Sequence, residues 1–177
     1  MEEESLGLNA LEELRKEHQE VLSQLDTLEV AIVELAKEQA GIDSEALRVS
    51  EAVIQFLDKD LDLHFRKEEE VLFPSLSAYV RWEGGPIGVM LMEHEDLRRS
   101  LHAFRNALGI FRAEPQPASR ENVLKGGYGL ISLLRLHIKK EDNCLFLMAG
   151  SYLNRTRLRE MGAEMQAMVK ESSSPPG

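Results

Sequence analysis

The 177-residue chain holds 43% apolar and 29% charged residues, which argues against a disordered chain and fits one globular domain. Its 31 acidic against 21 basic residues leave a net charge of −10, a field that repels nucleic-acid phosphates and anionic lipid, so no nucleic acid and no membrane is expected as a partner. One cysteine, Cys144, excludes an internal disulfide and a thiolate zinc cage; with the acidic opening Met-Glu-Glu-Glu-Ser and no apolar run near 18 residues, the expected location is cytoplasmic.

Helical periodicity runs through the chain and no run alternates as a strand would. The first helix is predicted to start after Ser5 or Asn9 and to reach about Ala40, with Leu11, Leu14, His18, Val21, Leu25, Leu28, Ile32 and Leu35 on one stripe. Gly41 ends it, and Asp43 or Ser44 caps the next. The second helix carries Leu47, Val53, Leu57, Leu61, His64 and Glu68, and is predicted to finish before Pro74. Phe73 to Gly88 reads as a longer connection, with Pro86 in the first turn of a third helix bearing Met90, His94, Leu97, Leu101, Phe104 and Leu108. The loop Glu114–Pro117 leads to a fourth helix, on which Leu130, Leu134, His137, Glu141 and Leu145 share a stripe. Gly126, Gly127 and Gly129 weaken that helix by roughly 1 kcal/mol each against Ala, so close packing is expected there. The whole reads as an all-α, antiparallel up-down-up-down four-helix bundle with a short additional C-terminal helix. The expected organisation is a single domain over 1–171, the bundle at about 8–148 and the extra helix at about 152–170, with a disordered tail at 172–177.

Four of the five histidines lie on apolar stripes, one per helix: His18, His64, His94 and His137. His64 and His137 each have a glutamate one turn later, Glu68 and Glu141, on the same helical face. A carboxylate buried in apolar surroundings costs several kcal/mol or more. Two carboxylates and four imidazoles share an interior only around a positive group, and a metal pair supplies that charge. An internal repeat adds to the argument: Leu61–Phe73 aligns with Leu134–Phe146 at an offset of 73 residues, matching the histidines, Lys67 with Lys140, Glu68 with Glu141 and Phe73 with Phe146. Glu17-His18 and Glu93-His94 echo each other at an offset of 76. Two copies of a helix pair, each giving one His and one His-x3-Glu, predict a pseudo-twofold bundle with a two-metal site on its axis.

The runs His64-Phe-x-Lys-Glu-Glu-x-x-Leu-Phe-Pro74 and His137-Ile-x-Lys-Glu-Asp-x-x-Leu-Phe146, with Pro86-x3-Met90-x2-Glu93-His94-x3-Arg98, make the chain resemble the hemerythrin-like, or HHE cation-binding, family over about Leu11 to Leu147. That resemblance implies a non-haem di-iron centre with an oxygen bridge, zinc or manganese being the other metals this donor set suits. It implies metal ligation by His18, His64, His94 and His137, and bridging by Glu68 and Glu141, which leaves one open position on each iron. Oxygen-carrying members place a fifth histidine where this chain has Arg98, and use a His-x4-Asp spacing that Asp142 would satisfy; the repeat favours Glu141. Four histidines resemble the branch proposed to repair iron centres.

The first functional expectation is therefore a protein that binds or senses a small diatomic ligand such as oxygen or nitric oxide, or iron. The alternative is a stress protein that repairs iron-sulfur centres, with an iron-cluster protein as partner, or turns over nitric oxide or peroxide; a metal-free bundle is the third reading. His102 is expected at the surface or boundary, Cys144 as a small core hydrophobe with a reactive thiol near the metals as the alternative, and Glu20, Glu69 and Glu70 as solvated charge. Arg98 either pairs with a carboxylate near the site or faces solvent.

Overall fold

A computed structural model describes residues 9–37 and 41–172. Asn9 opens α1 (Ala10–Leu35): its side chain accepts from Leu11 N and Glu12 N while the Glu12 carboxylate accepts from Asn9 N, so three otherwise orphaned donors are satisfied. Ser5, the other predicted start, lies outside the described residues. The helix ends at Leu35, short of Ala40, because Leu35 is the last buried residue of the stripe and Lys37 N already closes a tighter turn on Glu34 O.

Ser44 caps α2 (Glu45–Lys67) through Leu47 N. The rod then widens into one π-turn, Glu68–Leu72, and resumes as α3 (Phe73–Leu76). The predicted stop before Pro74 is thus overturned. In the wide turn Phe73 N reaches five residues back to Glu68 O. A ladder already shifted by one residue accommodates a proline, which has no N–H to place. The connection is correspondingly shorter than expected, from Ser77 to Gly85, and Gly84 (φ 67°) takes the left-handed conformation there.

Pro86 is the first residue of α4 (Pro86–Ala113), as its fixed φ favours. The next rod follows the same plan as the second: α5 (Pro117–Lys140), a π-turn at Glu141–Leu145, then α6 (Phe146–Tyr152). The two halves of the chain therefore share an irregularity that begins, each time, at the central glutamate. A last helix, α7 (Arg155–Ser172), lies against α1, α2 and the first wide turn. Ser172 is helical rather than the start of a tail, and 173–177 lie outside the described residues.

The four rods make an antiparallel bundle, with α1 against α2 and α5, and α4 against α5 and α2. Gly127 explains one close crossing. A Cβ there would stand 2.6 Å from Ile32 Cδ1 and 3.2 Å from Phe104 Cε2, so only glycine lets α5 approach α1 and α4 at this level. Gly126 meets Phe104 in the same way, whereas nothing in the structure explains Gly129. The apolar interior is divided in two. One part gathers Val21, Leu25, Leu61, Phe65, Leu97, Leu134 and Ile138; the other gathers Leu14, Leu72, Phe73, Met90, Leu145, Phe146 and the inner face of α7. Between them lies a polar layer.

Candidate metal centre

All four stripe histidines and both repeat glutamates meet in that layer. His18, His64, Glu68, His94, His137 and Glu141 are buried, the two glutamates completely. Their donor atoms form two four-residue groups, His18–His64–Glu68–Glu141 and Glu68–His94–His137–Glu141, each drawn together within 4.8 Å. Both glutamates belong to both groups. His102, by contrast, is exposed and hydrogen-bonds to Asn106, as expected of a surface residue.

A ring of outer carboxylates sets the direction of every imidazole. Glu17 holds His64 Nδ1 at 2.8 Å, Glu93 holds His137 Nδ1 at 3.0 Å, Glu69 holds His94 Nδ1 at 2.7 Å and Asp142 holds His18 Nδ1 at 3.0 Å. Each Nδ1 donates outward, which turns each Nε2 toward the middle of the bundle; His18 Nε2 and His64 Nε2 stand 3.1 Å apart. The pattern obeys the internal repeat: the glutamate preceding the histidine of α1 or α4 serves the histidine of α2 or α5, and the acid following the central glutamate serves the remaining histidine.

Two outer lysines complete the repeat. Lys67 bonds to Glu17 and Glu13, and Lys140 bonds to Glu93. Of its two expected places Arg98 takes the one beside a carboxylate, donating to Glu69 at 3.0 and 3.2 Å and lying over the Phe65 ring. Glu69 is thus an orienting group and not the solvated charge it reads as in sequence. Rings wall the layer: Phe65 and Phe73 stack on His94, and Phe146 stacks on His18. Glu141 faces the cluster while Asp142 stays outside it, on His18 Nδ1.

Cys144 is exposed, with the Met148 thioether 3.9 Å from its thiol, and it belongs to neither donor group, so neither the core reading nor the near-metal reading holds. Its repeat mate Val71 is buried at the same position of the first wide turn, against which α7 lies.

The donor set can be tested against a cation without any ligand present. None of the four oxygens of Glu68 and Glu141 has a hydrogen-bond partner, and neither do His94 Nε2 and His137 Nε2. The nearest imidazole nitrogens lie 3.2–3.7 Å from these oxygens without hydrogen-bond geometry. Fully buried carboxylates left so are costly, and a cation in the middle removes the cost. The residues fit a metal.

The electrostatics agree. Burial works against charge on His18, yet its contacts with Asp142 and Glu141 outweigh this and raise it to about 10. His94 is raised to about 11, against burial, by Glu141, Glu68 and Glu69. Glu141 lies well below the usual carboxylate range: burial opposes its charge, and His18, His94 and His137 more than offset that. Glu17, Glu69 and Glu93 are lowered as well, despite burial, by the imidazole and the cation each one touches. The carboxylates thus favour positive charge on His18 and His94, the same charge that a cation would bring to the layer.

The profile of the Hemerythrin HHE cation binding domain family matches residues 9–149. The chain belongs to that family. Among curated relatives it is similar to the iron-sulfur cluster repair protein YtfE of Musicola paradisiaca, at 35% identity over 89 residues covering 49% of this chain and 40% of that protein. It is also similar to the YtfE proteins of Citrobacter koseri and Escherichia coli, each at 30% identity over 95 residues covering 52% of this chain and 43% of theirs. The chain therefore spans 40–43% of the length of the curated relatives it matches. The hemerythrin-family reading gives the cluster its class: a cation-binding domain built on a helical bundle. Among the described residues no helix is long and apolar enough to cross a membrane.

Proposed function

We propose that this hemerythrin-family domain holds two iron ions and serves in the repair of damaged iron-sulfur centres. His18 and His64 would hold one ion, His94 and His137 the other, with Glu68 and Glu141 shared between them. The observation that carries the reading is the outward anchoring of all four Nδ1 atoms around two fully buried carboxylates that have no partner. That arrangement is made for cations and is costly without them. Imidazole and carboxylate donors suit iron and also zinc or manganese, so the choice of iron rests on the similarity to iron-sulfur cluster repair proteins. When bound, an iron pair supplies redox-active, Lewis-acidic positions.

The similarity to proteins named for cluster repair favours repair over the reading that stands first in the sequence, ligand sensing. In the repair reading the iron is cargo. The chain's own residues have three tasks: Glu17, Glu69, Glu93 and Asp142 orient the rings, Phe65, Phe73 and Phe146 exclude water, and the four imidazoles present Nε2 to the iron. Sensing of oxygen or nitric oxide stays as the second reading, because the six donors do not fill the coordination shells of two six-coordinate irons.

Anaerobic purification, metal analysis and incubation with an apo iron-sulfur acceptor provide the test. Two irons per chain and reconstitution of the acceptor are expected. Iron-loaded protein that transfers nothing to the acceptor, yet changes its visible spectrum reversibly with oxygen or nitric oxide, would return the sensing reading to first place.

A further inference from the structure

The internal repeat makes the two halves of the cluster comparable residue by residue, and they are not equally enclosed. Lys67, beside His64, is 1% exposed and held by two carboxylates, Glu17 and Glu13. Its repeat mate Lys140, beside His137, is 41% exposed and bonds to one, Glu93. The same difference recurs along the face. Leu63 packs into the cluster of apolar residues that includes Met165 and Met168, and Val71 is buried; their mates are Leu136, 51% exposed, and Cys144, also exposed.

The cause is α7. It lies over α1, α2 and the first wide turn, and Val169 closes a cleft of about 140 Å³ that reaches His64. The matching cleft of about 150 Å³ that reaches His137 is lined by α4 and α5 alone, through residues such as Glu93, Leu133, Leu136 and Lys140. On the remaining two flanks the difference runs the other way, with Asp142 33% exposed and Arg15 3.9 Å from it, and Glu69 24% exposed and held by Arg98, so the inequality rests on the side of the cluster that α7 covers.

We infer that the extra helix makes the two half-sites unequal, so that the ion held by His94 and His137 leaves first, with Lys67 and Lys140 as the positioning residues that set the two rates. The inference rests on the two-ion reading of the cluster. An ion departs when an imidazole turns aside and water or a proton takes its Nε2. Glu17 is pinned by a lysine shielded from water, and so keeps the His64 ring in place. Glu93 is pinned by a lysine that water solvates, and so holds His137 less firmly. In a repair protein the open half would be the side that gives up iron.

The full chain, loaded anaerobically with two ferrous ions, is mixed with excess ferrous chelator and the release followed in time. Two phases of equal amplitude are expected, separated by about tenfold in rate, the lower end of what losing an outer partner costs a metal site. Lys140→Gln should quicken the fast phase alone, and Lys67→Gln the slow phase alone. Lys140 is solvated, so its variant folds normally; should Lys67→Gln fail to fold, the wild-type amplitudes and Lys140→Gln decide. One phase carrying both ions, or both variants acting on the same phase, overturns the inference. Two-phase release without transfer to an apo acceptor would sink the repair reading alone, and transfer with single-phase release would sink the inequality alone. A chain that takes up no iron overturns both.

Discussion

Glu17 and His64 stand on neighbouring helices with 2.8 Å between Glu17 Oε2 and His64 Nδ1, and Glu93 and His137 reproduce the pair at 3.0 Å on the opposite side of the bundle. A carboxylate in this position fixes the tautomer and the direction of the ring it touches. Glu93→Gln is expected to lower metal affinity by about 10-fold to 100-fold, read by competition with a calibrated chelator, while helix content stays as in the parent. Unchanged affinity would show that the ring needs no such support.

Inner residues should behave differently from outer ones. His64→Ala and Glu68→Ala are each expected to lower bound metal and to remove most of the metal-dependent rise in melting temperature. A ligand present at a thousand times its dissociation constant stabilises by about 4 kcal/mol, and a chelator should abolish the same increment in the parent. His102→Ala, at an exposed position, should alter neither quantity. Equal losses in all three variants would mean that the effect is not metal binding.

Proton balance gives a third expectation. His18 and His94 are raised to about 10 and about 11 in the metal-free fold. Raised groups stabilise fully below the unfolded imidazole value and lose that contribution as pH climbs through their folded values. The chelated protein should therefore melt at progressively lower temperature as pH rises from about 6.5 toward 10. Glu141 carries the opposite sign: its contribution is present above the ordinary carboxylate range and disappears on acidification. Metal uptake near neutral pH should expel the protons on His18 and His94, visible as a calorimetric heat that varies with the buffer's ionisation enthalpy. A heat independent of buffer would contradict the protonated cluster.

The glycines of α5 supply a pair of opposite sign. Gly127→Ala places a methyl 2.6 Å from Ile32 Cδ1 and should destabilise by about 1–3 kcal/mol despite the better helix propensity of alanine. Gly129→Ala meets nothing within 4 Å and should stabilise by up to about 1 kcal/mol. Denaturant melts of the two variants check both signs.

Much of this was legible because helical spacing is a local property. Leu14, His18, Val21 and Leu25 announce a buried face by their period alone, and His64 with Glu68 share a face by geometry. The outer carboxylates were harder to see. Glu17 acts on a histidine of another helix, so its role is a tertiary fact, and only the repeated Glu-His pair at 17–18 and 93–94 hinted at it. Glu69 reads as surface charge because it stands in a run of three glutamates. The wide turns were not legible at all, and they account for the helix that continues through Pro74; Cys144 faces water because none of the described helices covers it as α7 covers its repeat mate Val71.

Those turns have a bearing on which small genetic changes the domain can bear. Losing one codon between Glu68 and Leu72 would restore an unbroken α-helical ladder, and by local criteria would look like an improvement. It would also spin everything beyond it by about 100°, carrying Phe73 off the face of His94 and swinging the apolar wall away from the chamber. A frame-preserving deletion there should thus do more harm than most substitutions on the same rod, because the irregularity is what aims the wall.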